Sequence, residues 1–189
     1  MRLRFTCWAM LLLPLLLSGC ASDTFRTAQR AAAPDAPFAL NGRVAVRHDG
    51  ERTTAGLRWT HRTGEDEMLL LAPLGQAAAR IRRDAQGVLL EVSGKTHTAP
   101  DAETLTRQVL GWELPLAGLS RWVVGLPSAG SVADIRRNAD GQIATLHQDG
   151  WDIDYSRYAT SAPDSLPVRL VLRRERLEIL LLVDEWEKQ

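Results

Sequence analysis

The chain has 189 residues, with 45% apolar side chains and 23 basic groups against 23 acidic ones. That length suits one domain with its own hydrophobic core, and the balanced charge excludes a nucleic-acid-binding protein, which needs a basic face. Both cysteines, Cys7 and Cys20, fall near the N-terminus, so the body of the chain has no disulfide, no cysteine nucleophile and no thiolate metal site.

Arg2 and Arg4 precede an apolar run over residues 5–17, and Ser18-Gly19-Cys20 follows. A charged flank, a short apolar run, small residues and then a cysteine is the order of a lipoprotein signal. The run is too short to span a bilayer, which takes about 20 apolar residues. Residues 1–19 are therefore expected to be removed as a signal peptide. The Cys20 thiol should then carry a diacylglycerol and its freed amine a further acyl chain. This covalent lipid is the only non-protein group expected, with no metal or other cofactor. Two or more chains hold a protein on a membrane where one does so only marginally. Loss of Arg2 and Arg4 leaves 21 basic against 23 acidic groups in the mature chain. Residues 20–37 read as a lipidated tether, with residues 21–33 able to form a helix or to stay loose until Pro34 and Pro37.

From Phe38 the pattern changes to period two, which marks a half-buried strand. Leu40, Gly42, Val44 and Val46 alternate with Asn41, Arg43, Ala45 and Arg47. Asp49-Gly50 is a hairpin signal. Further strands fit residues 54–61, 68–72, 77–83, 88–92 and 96–98. Short alternating runs separated by turns predict an antiparallel meander.

Two helices interrupt it. Thr98 is expected to cap the first, with Asp101 three residues on and Pro100 in the first turn; Ala102, Leu105, Val109 and Trp112 follow at helical spacing. The second fits residues 115–124, and Gly125 and Pro127 end it. Strands then resume at 135–138, 142–148, 151–158, 168–173 and 177–186, with Asp149-Gly150 a second hairpin signal. The expectation is a mainly β domain over residues 38–189: about ten or eleven antiparallel strands in a sheet long enough to curl or close on itself, with the helices covering one opening or face.

Two features are candidates for function. In Ala72-Pro73-Leu74-Gly75, Pro and Gly sit where a type I turn favours them. That places Leu74 at a hairpin tip, where Asn, Asp or Ser is usual. Leu74 either folds back onto the body or projects as a wedge that dips into lipid. The second feature is the inward face. Gly42, Ala45, Ala55, Gly56 and residues 77–79 are small and stand among Leu57, Trp59, Met68, Ile81 and Leu90. Such a pattern fits either a packed core or an oily cavity.

Signals for catalysis are weak. His48, His61, His97 and His147 are scattered without metal-ligand spacing. The segment 125–130 is one residue too long for a nucleophile elbow. Glu65, Asp66 and Glu67 read as a solvated turn.

The lipobox at Cys20, the run 38–46, Leu71-Ala-Pro-Leu-Gly-Gln76, Trp122-Val-Val-Gly-Leu-Pro127 and the ending 167–186 occur in the order seen in LolB. The chain resembles that family of outer-membrane lipoprotein receptors over nearly its whole mature length. The resemblance implies a half-open antiparallel β-barrel with the helices as a lid, in an outer-membrane lipoprotein facing the periplasm and expected to be monomeric. It would accept client lipoproteins from the periplasmic carrier LolA through an apolar acyl-chain cavity, then insert them among the outer-membrane lipids. It makes Pro73, Leu74 and Gly75 the membrane-inserting loop. Ala72 stands where the family often has Asn or Ser, which makes the loop slightly greasier. Ala21, rather than Asp, follows the lipidated cysteine, which is compatible with the outer membrane. The cavity is expected to be lined by Val44, Leu57, Trp59, Leu70, Ile81, Leu105 and Trp122. No catalytic residue is implied. The alternative is a scaffold lipoprotein of the envelope with a solid core.

Overall fold

The computed structural model describes residues 29–187 except 32 and 34. The expected signal, Cys20 and most of the tether lie outside the described residues. Six strands, β1 (Phe38–His48), β2 (Glu51–Arg62), β3 (Glu65–Leu71), β4 (Ala77–Asp84), β5 (Gly87–Val92) and β6 (Lys95–Ala99), run as one meander. Helices α1 (Ala102–Leu110) and α2 (Leu116–Trp122) follow. A second meander comprises β7 (Ala133–Arg137), β8 (Ile143–Gln148), β9 (Trp151–Tyr158), β10 (Pro167–Arg174) and β11 (Leu177–Trp186). The last strand pairs with the first, so all eleven form a single antiparallel sheet in the order β6-β5-β4-β3-β2-β1-β11-β10-β9-β8-β7. Strands β6 and β7 are its two edges, and the sheet is open.

The Asp-Gly hairpins form as expected. Asp49 and Gly50 have φ of 49° and 88°, and Asp149 and Gly150 have 54° and 76°. Positive φ at both central residues matches the twist of the flanking strands. Alternation puts Leu40 and Val46 of β1, Leu57 and Trp59 of β2, Ile81 of β4 and Leu181 of β11 into one buried inner face. It also separates the small residues. Ala45 pairs with Thr54 and Gly56 with Arg43, so both lie on the outer face, and Ala77 and Ala78 are exposed beside a register shift. Only Gly42, Ala55 and Ala79 share the inner side. The expected grouping had joined residues of opposite parity.

Helix α1 is capped by Asp101, whose carboxylate accepts the Thr104 N–H at 2.7 Å. Thr98, the expected cap, is extended in β6 opposite Leu89. Pairing with β5 carries the chain on as strand up to Ala99, so the helix starts later. Of the two readings of residues 21–33, helix or loose tether, the described residues 29–31 and 33 show no helix. Gln29 bridges Ser165, the Arg30 N–H donates to Asp164 O, and the Arg30 guanidinium donates to Gly125 O at 2.7 Å and to Pro163 O at 3.1 Å. Residues 29 and 30 are thus docked on the body.

Gly42 sits at a bulge where β1 meets β11. A Cβ there would lie 2.2 Å from Leu182 O. The clash is with backbone, so Gly42→Ala is expected to cost about 1–3 kcal/mol, the usual range for overpacking. Chemical denaturation would read this as a lower midpoint at unchanged slope.

Candidate functional site: an apolar cavity beside a protruding loop

The inner face is not filled evenly. Along β1, Leu40 opposite Trp59 and Trp186 marks one end of the sheet, and His48 opposite Glu51 and Leu177 marks the other. The first end is solid. Phe38 packs edge-on against Trp59 and Trp186 at 4.9 and 5.8 Å between centroids, and stacks on His61. Behind them lies Asp66, which accepts the Trp59 indole N–H at 2.8 Å, faces His61 Nδ1 at 2.8 Å and pairs with Arg83. Burial pushes the Asp66 carboxyl up, but hydrogen bonds from His61, Trp59 and Arg83 outweigh it and hold the group below its ordinary range. Asp66 is therefore a buried member of β3, not part of a solvated turn. It is buried because β3 starts at Glu65 and its even positions face inward. The partners of the His61–Asp66 pair are an indole and a guanidinium, neither of which is a nucleophile.

Toward the second end the inner face opens into a cavity of about 250 Å³. Val44, Leu57, Leu70 and Ile81, four of the expected lining residues, are in its wall. Trp59, Leu105 and Trp122 are not; they are buried in the solid core. Both indoles are pinned by their polar edge, Trp59 on Asp66 and Trp122 on Gln148 Oε1 at 3.0 Å. A buried Trp N–H needs such a partner, and satisfying it takes the ring away from an apolar slot. The expected lining omits Val46, Ile179 and Leu181 of the strands, and Ala55, expected on the inward face, joins them in the wall. Their parity matches that of Val44 and Leu57, so the signal was present.

The roof comes from the helices. Leu110, Trp112, Leu114 and Leu119 close the cavity from α1, α2 and the segment between them. Thr106 fixes that segment by accepting the Leu114 N–H at 2.8 Å while donating to Ala102 O. Glu113 ties it to the body, with Arg107 on one carboxylate oxygen and Arg174 at 3.1 Å on the other.

The 72–76 loop projects from the same end, because Leu71, its last strand neighbour, pairs with Gly56 on the side of the β1–β2 turn. The Gly75 N–H donates to Ala72 O at 2.8 Å, and Gly75 has φ of 82°. Pro73 and Leu74 are therefore the central residues of a closed turn. Leu74 does not fold back, since it is 84% exposed. The Trp122–Pro127 element is structural. It ends α2 through Leu126 N–H to Arg121 O, and its Gly125 carbonyl receives Arg30.

A family model described as "Outer membrane lipoprotein LolB" matches residues 36–186. The chain belongs to the LolB family. A LolB family protein of Thiobacillus denitrificans is 43% identical over 176 residues, covering 90% of this chain and 91% of that one. One from Chromobacterium violaceum is 40% identical over 180 residues, covering 94% and 97%. Both bear the name outer-membrane lipoprotein LolB. Among solved structures, a LolA superfamily protein from Nitrosomonas europaea aligns with a TM-score of 0.52 at 7% identity, over 89% of this chain and 93% of that one. The LolB sheet and its two helices therefore share the LolA superfamily fold, at a sequence distance where only the fold is carried over.

Proposed function

We propose that this LolB family member is an outer-membrane-anchored acceptor, held through an acylated Cys20. It takes the acyl chains of client lipoproteins from a carrier of the LolA kind and passes them into the bilayer. In this reading the open sheet is a half-open barrel, the α1–α2 unit is its lid, and no catalytic step is involved. The observation that carries it is the apolar cavity at the sheet end from which Leu74 projects. Acyl chains leave a carrier only for another apolar site, since each methylene kept out of water is worth about 0.8 kcal/mol. Apolar cavities of about 150 Å³ already take small hydrocarbons, while pockets for drug-sized ligands start at about 300 Å³. A cavity of this size thus holds part of one chain, and a full load requires it to widen. The Glu113–Arg174 pair that ties the segment between the helices to β10 is half-exposed and contributes only about 0–1 kcal/mol; the buried Leu105, Leu116 and Trp122, not this pair, seat the helices.

Ala55→Phe fills the cavity from β2. It is expected to reduce uptake of a fluorescent fatty acid and crosslinking to a client lipoprotein, with the far-UV spectrum unchanged. Undiminished uptake in that variant would sink the cavity as the acyl site.

A further inference from the structure

The outer face of the sheet carries a second apolar feature next to the loop. A groove of about 360 Å³ runs over β1, β2 and β11. Ala45, Gly56, Leu71, Leu180 and Leu182 form its floor and Pro73 closes one side. The solvated face of a sheet is normally polar, yet these three leucines remain partly exposed on it. Toward the β1–β2 turn, Arg52 borders the groove, and its direct cross-strand partner is Arg47. Like charges placed opposite each other destabilise a strand pair. The acid nearest in register, Glu178 opposite Arg47 on β11, is engaged by Arg173 at 3.0 Å. Among the described residues neither Arg47 nor Arg52 has an acidic partner, whereas Arg43 deeper in the groove is paired with Asp184 at 2.7 Å.

We propose that this groove binds one anionic phospholipid of the bilayer: its phosphate between Arg47 and Arg52, an acyl chain along the leucine floor. The inference rests on the membrane role of the loop, because Pro73 belongs to both. A phosphate between two guanidinium groups makes charge-assisted hydrogen bonds to each and cancels their mutual repulsion. The unpaired positive charge selects an anionic amphiphile over a neutral one, and the continuity with Leu74 places it at the bilayer surface.

The test uses the mature chain carrying Cys20→Ala, so that no anchor masks the surface. It is floated with vesicles of phosphatidylcholine alone and of phosphatidylcholine with phosphatidylglycerol. Binding should be tighter on the anionic vesicles. R47Q and R52Q should each remove about fivefold of that gain, the usual effect of one arginine near an anionic leaflet, and leave binding to neutral vesicles unchanged. L74E reports on the loop separately and should weaken binding to both. If the arginine variants bind anionic vesicles as the parent does while L74E still weakens binding, the groove proposal fails and the loop reading stands. If L74E has no effect while R47Q and R52Q do, the loop reading fails and the groove is supported. In the acylated full chain, benzoylphenylalanine at position 54 should crosslink to phospholipid; crosslinking to protein alone overturns the proposal.

Discussion

Leu74→Glu is expected to leave the fold and acyl-chain binding unchanged and to block delivery into membranes. The side chain is 84% exposed at a turn closed by backbone hydrogen bonds, so its replacement disturbs no packing. In lipid the two residues differ sharply. Burying a leucine gains about 1.5–3 kcal/mol, while an acidic residue at membrane depth costs about 2.5–3.5 kcal/mol. The sum is an upper bound for a loop that reaches only part-way in, but half of it would reduce a transfer rate by more than tenfold. The gain from one leucine is too small to anchor a protein. It suits a wedge that enters and leaves, on a chain whose proposed anchor is an acylated Cys20. The measurement is transfer of a labelled lipoprotein to liposomes, with fatty-acid uptake followed in parallel. Normal transfer by the variant would remove the wedge from the mechanism.

Asp66→Asn should have the largest effect on stability. The carboxylate sits fully buried beneath the aromatic end of the sheet, with Trp59, His61 and Arg83 all on its two oxygens. Removing one partner of a buried charge network costs about 3–5 kcal/mol, because the remaining charge is left uncompensated. For a domain of this size that lowers the melting temperature by roughly 10 °C. The pH dependence gives a second readout. The folded-state carboxyl titrates below its unfolded value, with burial opposed by the His61, Trp59 and Arg83 hydrogen bonds. Its contribution is therefore complete above the unfolded value and is lost as pH falls through the folded one. Denaturant midpoints of the parent should decline from about pH 5 downward, and the Asn variant should lack that component. Since the cavity lies at the other end of the sheet, ligand uptake by the folded variant should be preserved. Parallel pH profiles for the two proteins would show that Asp66 is not the group responsible.

The strands and turns were legible because their causes are local. Period-two alternation, Asp-Gly dipeptides and the breakers Gly125 and Pro127 act within a few residues, and β9 and β11 fall where the pattern put them. The Pro73-Leu74-Gly75 turn was legible for the same reason. Other features depend on contacts across the chain. The joining of the two meanders through β1 and β11 brings together residues 40 and 186, and no local pattern encodes that pairing. Whether Leu74 folds back or projects is seen only in its 84% exposure in the folded chain. Asp66 looked like one of three solvated carboxylates until Trp59, His61 and Arg83 were brought around it.

What the sequence determined by itself was parity: which side chains can share a face. The tertiary structure decided which part of that face stays empty. Val44 and Trp59 are equally inward, but the indole found a buried acceptor at the closed end while Val44 was left under the helices at the open one. An empty volume is set by the distance between elements far apart in the chain, so it appears only when helix and sheet are placed together.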